Sequence, residues 1–97
     1  SFDGAFVLAP FVSADHFPDP TDIGIRLTID GEVRQDGNSR DMLNPIVPLI
    51  QHICGHFSLQ PGDVVSTGTP VGVGPLKSGS DVVLELPGAS RFESRVL

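Results

Sequence analysis

An eight-residue stretch in the first third of the chain alternates strictly between apolar and other residues. Its apolar members are Ile23, Ile25, Leu27 and Ile29. This period of two is typical of a β-strand with one buried face. Asp30-Gly31 follows directly, and this dipeptide readily supplies the positive φ angles of a two-residue hairpin turn. The sequence therefore predicts a β-hairpin, with residues 32–35 as a short return strand that ends at Asp36-Gly37.

The abundance of glycine and proline narrows the fold class. The chain has 11 Gly and 9 Pro among 97 residues, which favours more turns than a helical bundle tolerates. Turns are predicted at 16–21 and 77–80, and further extended segments at 5–12, 63–67, 81–86 and 91–96. Pro10 limits the first of these segments to an edge strand or a buried extended piece. We expect an α+β domain, mostly antiparallel β, with residues 1–97 as a single unit.

One main helix is predicted at about residues 45–57. The apolar residues Ile46, Leu49, Ile50, Ile53 and Phe57 recur at helical spacing and form one stripe. Asn44 is the expected N-cap and Pro45 the first helical residue. Pro48 would remove an interior hydrogen bond, so a start at Pro48 is the alternative. If the stripe is buried, Phe57→Ala should cost about 3–5 kcal/mol.

The charge balance excludes several classes of partner. Six basic and twelve acidic residues give a formal net charge of −6, and the basic residues stand singly. Such a chain lacks the basic surface that nucleic acids and anionic membranes require. Cys54 is the one cysteine, which excludes an intrachain disulfide and suits the reducing cytoplasm. We therefore expect a cytoplasmic protein that binds neither nucleic acid nor membrane.

His52 and His56 stand four residues apart on the predicted helix, at the spacing that two metal-binding histidines use. No Glu lies between them, no third ligand is near in sequence, and the acidic residues are spread one or two at a time. We interpret both as surface histidines. The sequence predicts no metal site and assigns no catalytic residue within this chain.

The segment from Ser66 to Pro75 is the strongest candidate site. It combines small or hydroxyl residues with three glycines and two prolines. It suits a structural turn, and it equally suits an anion-binding loop in which backbone N–H groups and threonine hydroxyls face a ligand. A nucleotide loop is disfavoured, because Gly72-Val73-Gly74 is not followed by the Gly-Lys-Ser/Thr of a P-loop. Composition leaves the first two interpretations open.

Residues 59–74 read LQPGDVVSTGTPVGVG, which resembles the L-x-P-G-D-[VI]-[IV]-x-T-G-T-P-x-G-V-G signature of the fumarylacetoacetate hydrolase family. Other matching segments, in the same order and spacing, are Ser1-Phe2-Asp3, Leu8-Ala9-Pro10, Pro18-Asp19-Pro20, residues 30–38 and Asp41-Met42-Leu43. The resemblance covers essentially the whole chain. It implies the C-terminal half of that family's mixed β catalytic domain.

The resemblance also implies a chemistry. Family members bind Mg²⁺ or Mn²⁺ and hydrolyse, isomerise, hydrate or decarboxylate 2-oxo and 1,3-diketo acids, often in the catabolism of aromatic compounds. By this resemblance, Gly68 and Thr69 contact the carboxylate or oxo end of the substrate. The metal ligands of the family, a Glu-x-Glu pair and a later Asp, would lie upstream of Ser1, as would its lysine. Alone, this chain is expected to be incomplete, inactive and without metal. Ala9 and Asn44-Pro45 depart from the family's pattern.

Two functions remain open. The first is part of an enzyme whose partners are a small 2-oxo acid and either a second copy in a homodimer, the missing N-terminal part, or both. The alternative is a non-catalytic, degenerate domain that supplies sheet and dimer interface. A lysine immediately before Ser1, with Glu-x-Glu and Asp further upstream, would decide for the enzyme.

Overall fold

The computed structural model of the chain describes residues 8–97, and they form a four-stranded antiparallel sheet in the order β2-β1-β3-β4. The strands are β1 (Gly24–Ile29), β2 (Glu32–Asn38), β3 (Asp81–Leu86) and β4 (Ser90–Arg95). The helix α1 (Ile46–Cys54) comes between β2 and β3 in the chain. Short 3₁₀ turns lie at Ala14–His16 and Ser39–Asp41. The α+β, mostly antiparallel class predicted from the sequence is confirmed.

The hairpin of β1 and β2 confirms the clearest local prediction. Asp30 and Gly31 adopt φ angles of 50° and 79° at the turn, as a two-residue turn of the hairpin type requires. The return strand is longer than predicted, because Asp36 and Gly37 pair with β1 and β2 ends only at Asn38. Asp36-Gly37 is therefore not a turn, and Gly37 serves another purpose, described with the candidate site.

The second hairpin joins β3 and β4 through a turn that contains Gly88, at a φ angle of 83°. The predicted bounds of β3 are confirmed, whereas β4 begins and ends one residue earlier than predicted. The predicted turn at 77–80 is present, with Gly79 at a φ angle of 83°. β3 pairs with β1 as well, so two segments separated by about fifty residues lie side by side in the sheet.

The helix is shorter than predicted at both ends. Its first hydrogen bond runs from the Leu49 N–H to the Pro45 carbonyl, at 2.9 Å, so Pro45 is the N-cap and Asn44 makes no cap. Pro48 falls in the first turn, where the backbone N–H has no helical partner, and therefore costs no hydrogen bond. The helix ends at Cys54 with Gly55 as C-cap. Phe57 lies beyond it and is 70% exposed. The large loss of stability predicted for Phe57→Ala required a buried side chain, so it is no longer expected.

Two predicted extended segments are not strands. Residues 63–67 have no regular structure, and Val64 is 52% exposed, so the prediction of a buried strand there was wrong. Among the described residues the sheet has four strands, and this segment is not one of them. The predicted segment at 5–12 lies partly outside the described residues. Its described part has no regular structure, with Leu8 and Phe11 exposed.

The apolar core of the described residues is small. Ile29 on β1 is their one buried apolar side chain, with 6% of its surface exposed. The residues of the helix stripe that are half-buried are Ile46, Leu49, Ile50 and Ile53. Leu84 of β3 lies opposite Leu27 on the sheet and is still 36% exposed. Much of the apolar surface of sheet and helix is therefore open. The loop that follows α1 lies against residues of β1 and β2.

Candidate functional site

The Ser66–Pro75 segment, here called the TGTP loop, packs against β2. Gly72 lies so close to this strand that an added Cβ would stand 2.0 Å from the carbonyl oxygen of Arg34. At Gly37 an added Cβ would stand 2.8 Å from Pro70 Cβ. Both glycines therefore allow loop and strand to approach at distances that no side chain permits. Gly72 also has a φ angle of 111°, which disfavours any other residue.

The side chain of Gln35 fastens the loop to the strand. Its Nε2 donates to Thr69 Oγ1 at 2.8 Å and to the Pro70 carbonyl oxygen at 2.7 Å. Gln35 pairs with Leu27 in the β1–β2 register, so its side chain lies on the same face of the sheet as that leucine. Sequence reasoning missed Gln35. The sequence signal that could have found it is a polar residue of the return strand opposite an inward-facing apolar residue of β1.

Gly68 and Thr69, the residues implied by the resemblance, lie at the open end of this arrangement. Gly68 has a φ angle of 103°, and apart from its two chain neighbours no residue has an atom within 4 Å of the position that a Cβ would occupy. Thr69 is exposed, with its hydroxyl held by Gln35. An unobstructed glycine backbone next to a fixed hydroxyl is a chemically suitable pair of donors for a carboxylate or oxo group. Their contact with a substrate stays a prediction.

A groove of about 320 Å³ lies between the TGTP loop and the sheet. Its lining residues are Leu27, Ile29, Arg34, Gln35, Thr69, Gly72, Val73, Gly74 and Leu76. The lining is mostly apolar, with the polar groups of Gln35 and Thr69 at one place, and Arg34 is the lining residue that carries a formal charge. Arg34 is also 3.9 Å from a Glu32 carboxylate oxygen. Such a lining suits a small anion with a short carbon chain.

A divalent metal does not fit the described part of the chain by itself. Within residues 8–97, no three His, Cys, Asp or Glu side chains come together as a ligand set. His52 and His56 are exposed, with ring centroids 4.9 Å apart, and His56 Nδ1 is 3.1 Å from the His52 carbonyl oxygen. His52 also lines a second groove, of about 420 Å³, beside the start of α1. Neither histidine lies in the groove of the TGTP loop.

None of the clear pKa shifts falls on a residue that lines the groove. The pKa of the Asp30 carboxyl is lowered, mainly because the Asp81 backbone N–H donates to it, and the Asp19 pKa is lowered by hydrogen bonds from Thr21. The pKa of Arg95 is raised by its bond to the Asp81 carboxylate. These shifts belong to turns and strand ends, so they bear on stability and not on the candidate site.

Comparison with known proteins agrees with the sequence motif. A family model described as fumarylacetoacetate (FAA) hydrolase C-terminal matches residues 1–97. The chain belongs to the fumarylacetoacetate hydrolase family, as the resemblance predicted.

None of the helices among the described residues is long and apolar enough to cross a membrane.

Two of the curated relatives are a tautomerase and a bifunctional isomerase/decarboxylase. The chain is 44% identical over 98 residues to the oxaloacetate tautomerase YcgM of Escherichia coli K12, covering 100% of this chain and 44% of that protein. It is 35% identical over 98 residues to the 4-hydroxyphenylacetate degradation bifunctional isomerase/decarboxylase of Salmonella dublin, covering 100% of this chain and 23% of that protein. The chain therefore spans less than half the length of these relatives.

Solved structures give the same picture. A fumarylacetoacetate hydrolase family protein from Yersinia pestis CO92 superimposes with a TM-score of 0.90 at 42% identity, over 100% of this chain and 46% of that one. The maleylpyruvate hydrolase from Sphingobium sp. SYK-6, solved with manganese(II) and pyruvate, gives a TM-score of 0.81 at 32% identity, over 88% of this chain and 32% of that one. The fold is thus that of the C-terminal domain of this family.

Proposed function

We propose that this chain forms part of the substrate site of a metal-dependent enzyme that acts on 2-oxo acids. Within the reactions expected of the family, we favour tautomerisation or isomerisation of a small 2-oxo dicarboxylate such as oxaloacetate, because of the 44% identity to the E. coli tautomerase. The observation on which the proposal depends is the TGTP loop, where Gln35 holds the Thr69 hydroxyl beside the open backbone of Gly68.

The residues of this chain would bind and orient the substrate. The Gly68 backbone N–H and the Thr69 hydroxyl would donate to oxygens at the carboxylate or oxo end. The apolar wall of the groove, with Leu27 and Leu76, would exclude water from the carbon chain, and Arg34 would favour an anionic ligand. In the complete enzyme, Mg²⁺ or Mn²⁺ would polarise the oxo acid and would be held by residues outside 8–97.

The same proposal covers the partners. The open apolar surface around Leu84 and the helix stripe supports a requirement for further protein. In the relatives, the part of the protein that this chain does not match would cover this surface. In a homodimer, a second copy of the chain would cover it. We propose one or both of these as the assembly in which the site works.

The test is a chimera, here called the completed enzyme, in which this chain replaces the matching 98 residues of the E. coli oxaloacetate tautomerase. We expect it to accelerate the decay of the ultraviolet absorbance of enol-oxaloacetate in the presence of Mg²⁺ or Mn²⁺, and to lose that activity with a chelator. Cooperative thermal unfolding shows that the chimera is folded. A folded chimera without activity on oxaloacetate or acylpyruvates would contradict the proposal and favour the non-catalytic domain.

A further inference from the structure

The side-chain amide of Gln35 has one orientation that satisfies its surroundings. Its amide end contacts the Pro70 carbonyl oxygen at 2.7 Å and Thr69 Oγ1 at 2.8 Å. A carbonyl oxygen only accepts hydrogen bonds, so the nitrogen of the amide must face Pro70. The two N–H groups of Gln35 are then used on two consecutive residues of the TGTP loop.

This contact determines what the Thr69 hydroxyl can do. A hydroxyl group has one hydrogen to donate and two lone pairs with which to accept. Because Gln35 donates to Oγ1, one lone pair is occupied and the hydrogen must turn towards another acceptor. Thr69 is exposed at the groove, and within the described ranges its hydroxyl donates to no protein group. The hydrogen is therefore available to a ligand oxygen.

We propose that Gln35 is a positioning residue that presets the Thr69 hydroxyl as a donor for a substrate oxygen. This inference rests on the proposed function, since it assigns how Thr69 works in that site. Gln35 is suited to the role because it stands in the middle of β2, opposite Leu27, where strand pairing fixes its backbone. A donor whose direction is fixed before the substrate arrives needs no reorganisation during the reaction.

The experiment is a double-mutant cycle in the completed enzyme, with oxaloacetate and Mg²⁺ as the probe. Gln35→Met keeps the length of the side chain and removes both hydrogen bonds. We expect it to lower kcat/KM about tenfold, and to cause a further loss of no more than about twofold when Thr69 is already Val. A residue that only stabilises the fold would give the same loss on both backgrounds. Gln51→Met, on the exposed side of α1, is the matched control and should leave the activity unchanged.

A second variant tests the direction of the Thr69 hydroxyl. Gln35→Glu keeps the shape, but an ionised carboxylate can donate neither to Thr69 nor to the Pro70 carbonyl oxygen, and it would instead accept the hydroxyl hydrogen. We expect it to lower kcat/KM about a hundredfold, more than Gln35→Met does. Both variants are assayed well below their thermal midpoints, so that the comparison is between folded enzymes.

Three outcomes would overturn the inference. They are equal losses for Gln35→Met on both backgrounds, a Gln35→Glu enzyme as active as the unsubstituted one, and a Thr69→Val enzyme with full activity. The first two leave the proposed function intact, because the unsubstituted enzyme remains active and sensitive to Thr69. An inactive but folded unsubstituted enzyme would contradict both.

Discussion

The Thr69 hydroxyl is the single group on which the proposed chemistry most depends. Thr69→Val keeps the shape of the side chain and removes the hydroxyl. In the completed enzyme we expect kcat/KM to fall about 10–10³-fold, as for the loss of one preorganised donor. Thr69 is exposed, so the thermal midpoint and the metal affinity should hardly change. Steady-state kinetics with oxaloacetate, together with thermal unfolding, measure both. Gly68→Val should lower kcat/KM further than Thr69→Val does, because a branched side chain is strained at the φ angle of 103° that Gly68 adopts. Full activity of Thr69→Val would mean that the loop is structural.

Gly72 tests a different property of the same loop, its close packing on β2. An alanine Cβ at this position would meet the carbonyl oxygen of Arg34 at 2.0 Å, and the φ angle of 111° adds strain. We expect Gly72→Ala to destabilise the completed enzyme by about 1–3 kcal/mol, as overpacking does. Gly74→Ala is the control, because nothing lies within 4 Å of its Cβ position and its φ is not in the left-handed region. Denaturant unfolding compares the two, and equal midpoints would show that the loop does not rest on the strand.

At the level of elements, the tip of the first hairpin is tied to β3. Asp30 Oδ1 accepts from the Asp81 backbone N–H at 2.9 Å, and the Asp30 N–H donates to the Asp81 carbonyl at 2.9 Å. Asp81 in turn accepts from Arg95 Nε at 2.9 Å. The lowered pKa of Asp30 follows from the first of these bonds, since a donated N–H favours the ionised carboxylate.

This bond gives stability a pH dependence with a definite sign. The folded pKa of Asp30 lies below the ordinary value of 3.8, so the unfolded state binds the proton first. The stabilisation is present above the unfolded pKa and is lost as the pH falls through the folded pKa. Asp30→Asn should lower the thermal midpoint at pH 7, with a difference that shrinks towards acid. Asp15→Asn, which removes a carboxylate outside the sheet, is the control. A difference that is constant with pH would contradict this origin.

Local patterns predicted local elements well. The period of two in β1 and the Asp30-Gly31 turn involve neighbours in the chain, and the hairpin is where the sequence places it. The predicted strand at 63–67 failed because an apolar run needs a partner strand, and no pattern within the run says whether one exists. The prediction that Phe57 belongs to the helix stripe failed for a related reason. The helical spacing of apolar residues continues past Gly55, although the helix does not.

The site shows the same division at the scale of the whole molecule. Gly68 and Thr69 were accessible through the motif, because the TGTP loop is continuous in sequence. Gln35 was not, because its contact with Thr69 joins positions 34 residues apart and follows only from the packing of the loop on β2. Gly37 was taken for part of a turn for the same reason, since the Pro70 ring that requires it lies far along the chain.

The last prediction concerns metal binding by the chain alone. Mg²⁺ and Mn²⁺ need several oxygen ligands in one place, and within residues 8–97 no three His, Cys, Asp or Glu side chains converge. A net charge of −6 should therefore give only weak, non-stoichiometric binding that falls with salt. Titration calorimetry of the 97-residue chain should detect no defined site, whereas the completed enzyme should bind stoichiometrically. The control is Thr69→Val in the completed enzyme, which should bind metal as well as the unsubstituted form. A stoichiometric site of micromolar or tighter affinity on the chain alone would mean that it holds its own metal, and the division of the site between this chain and further protein would be wrong.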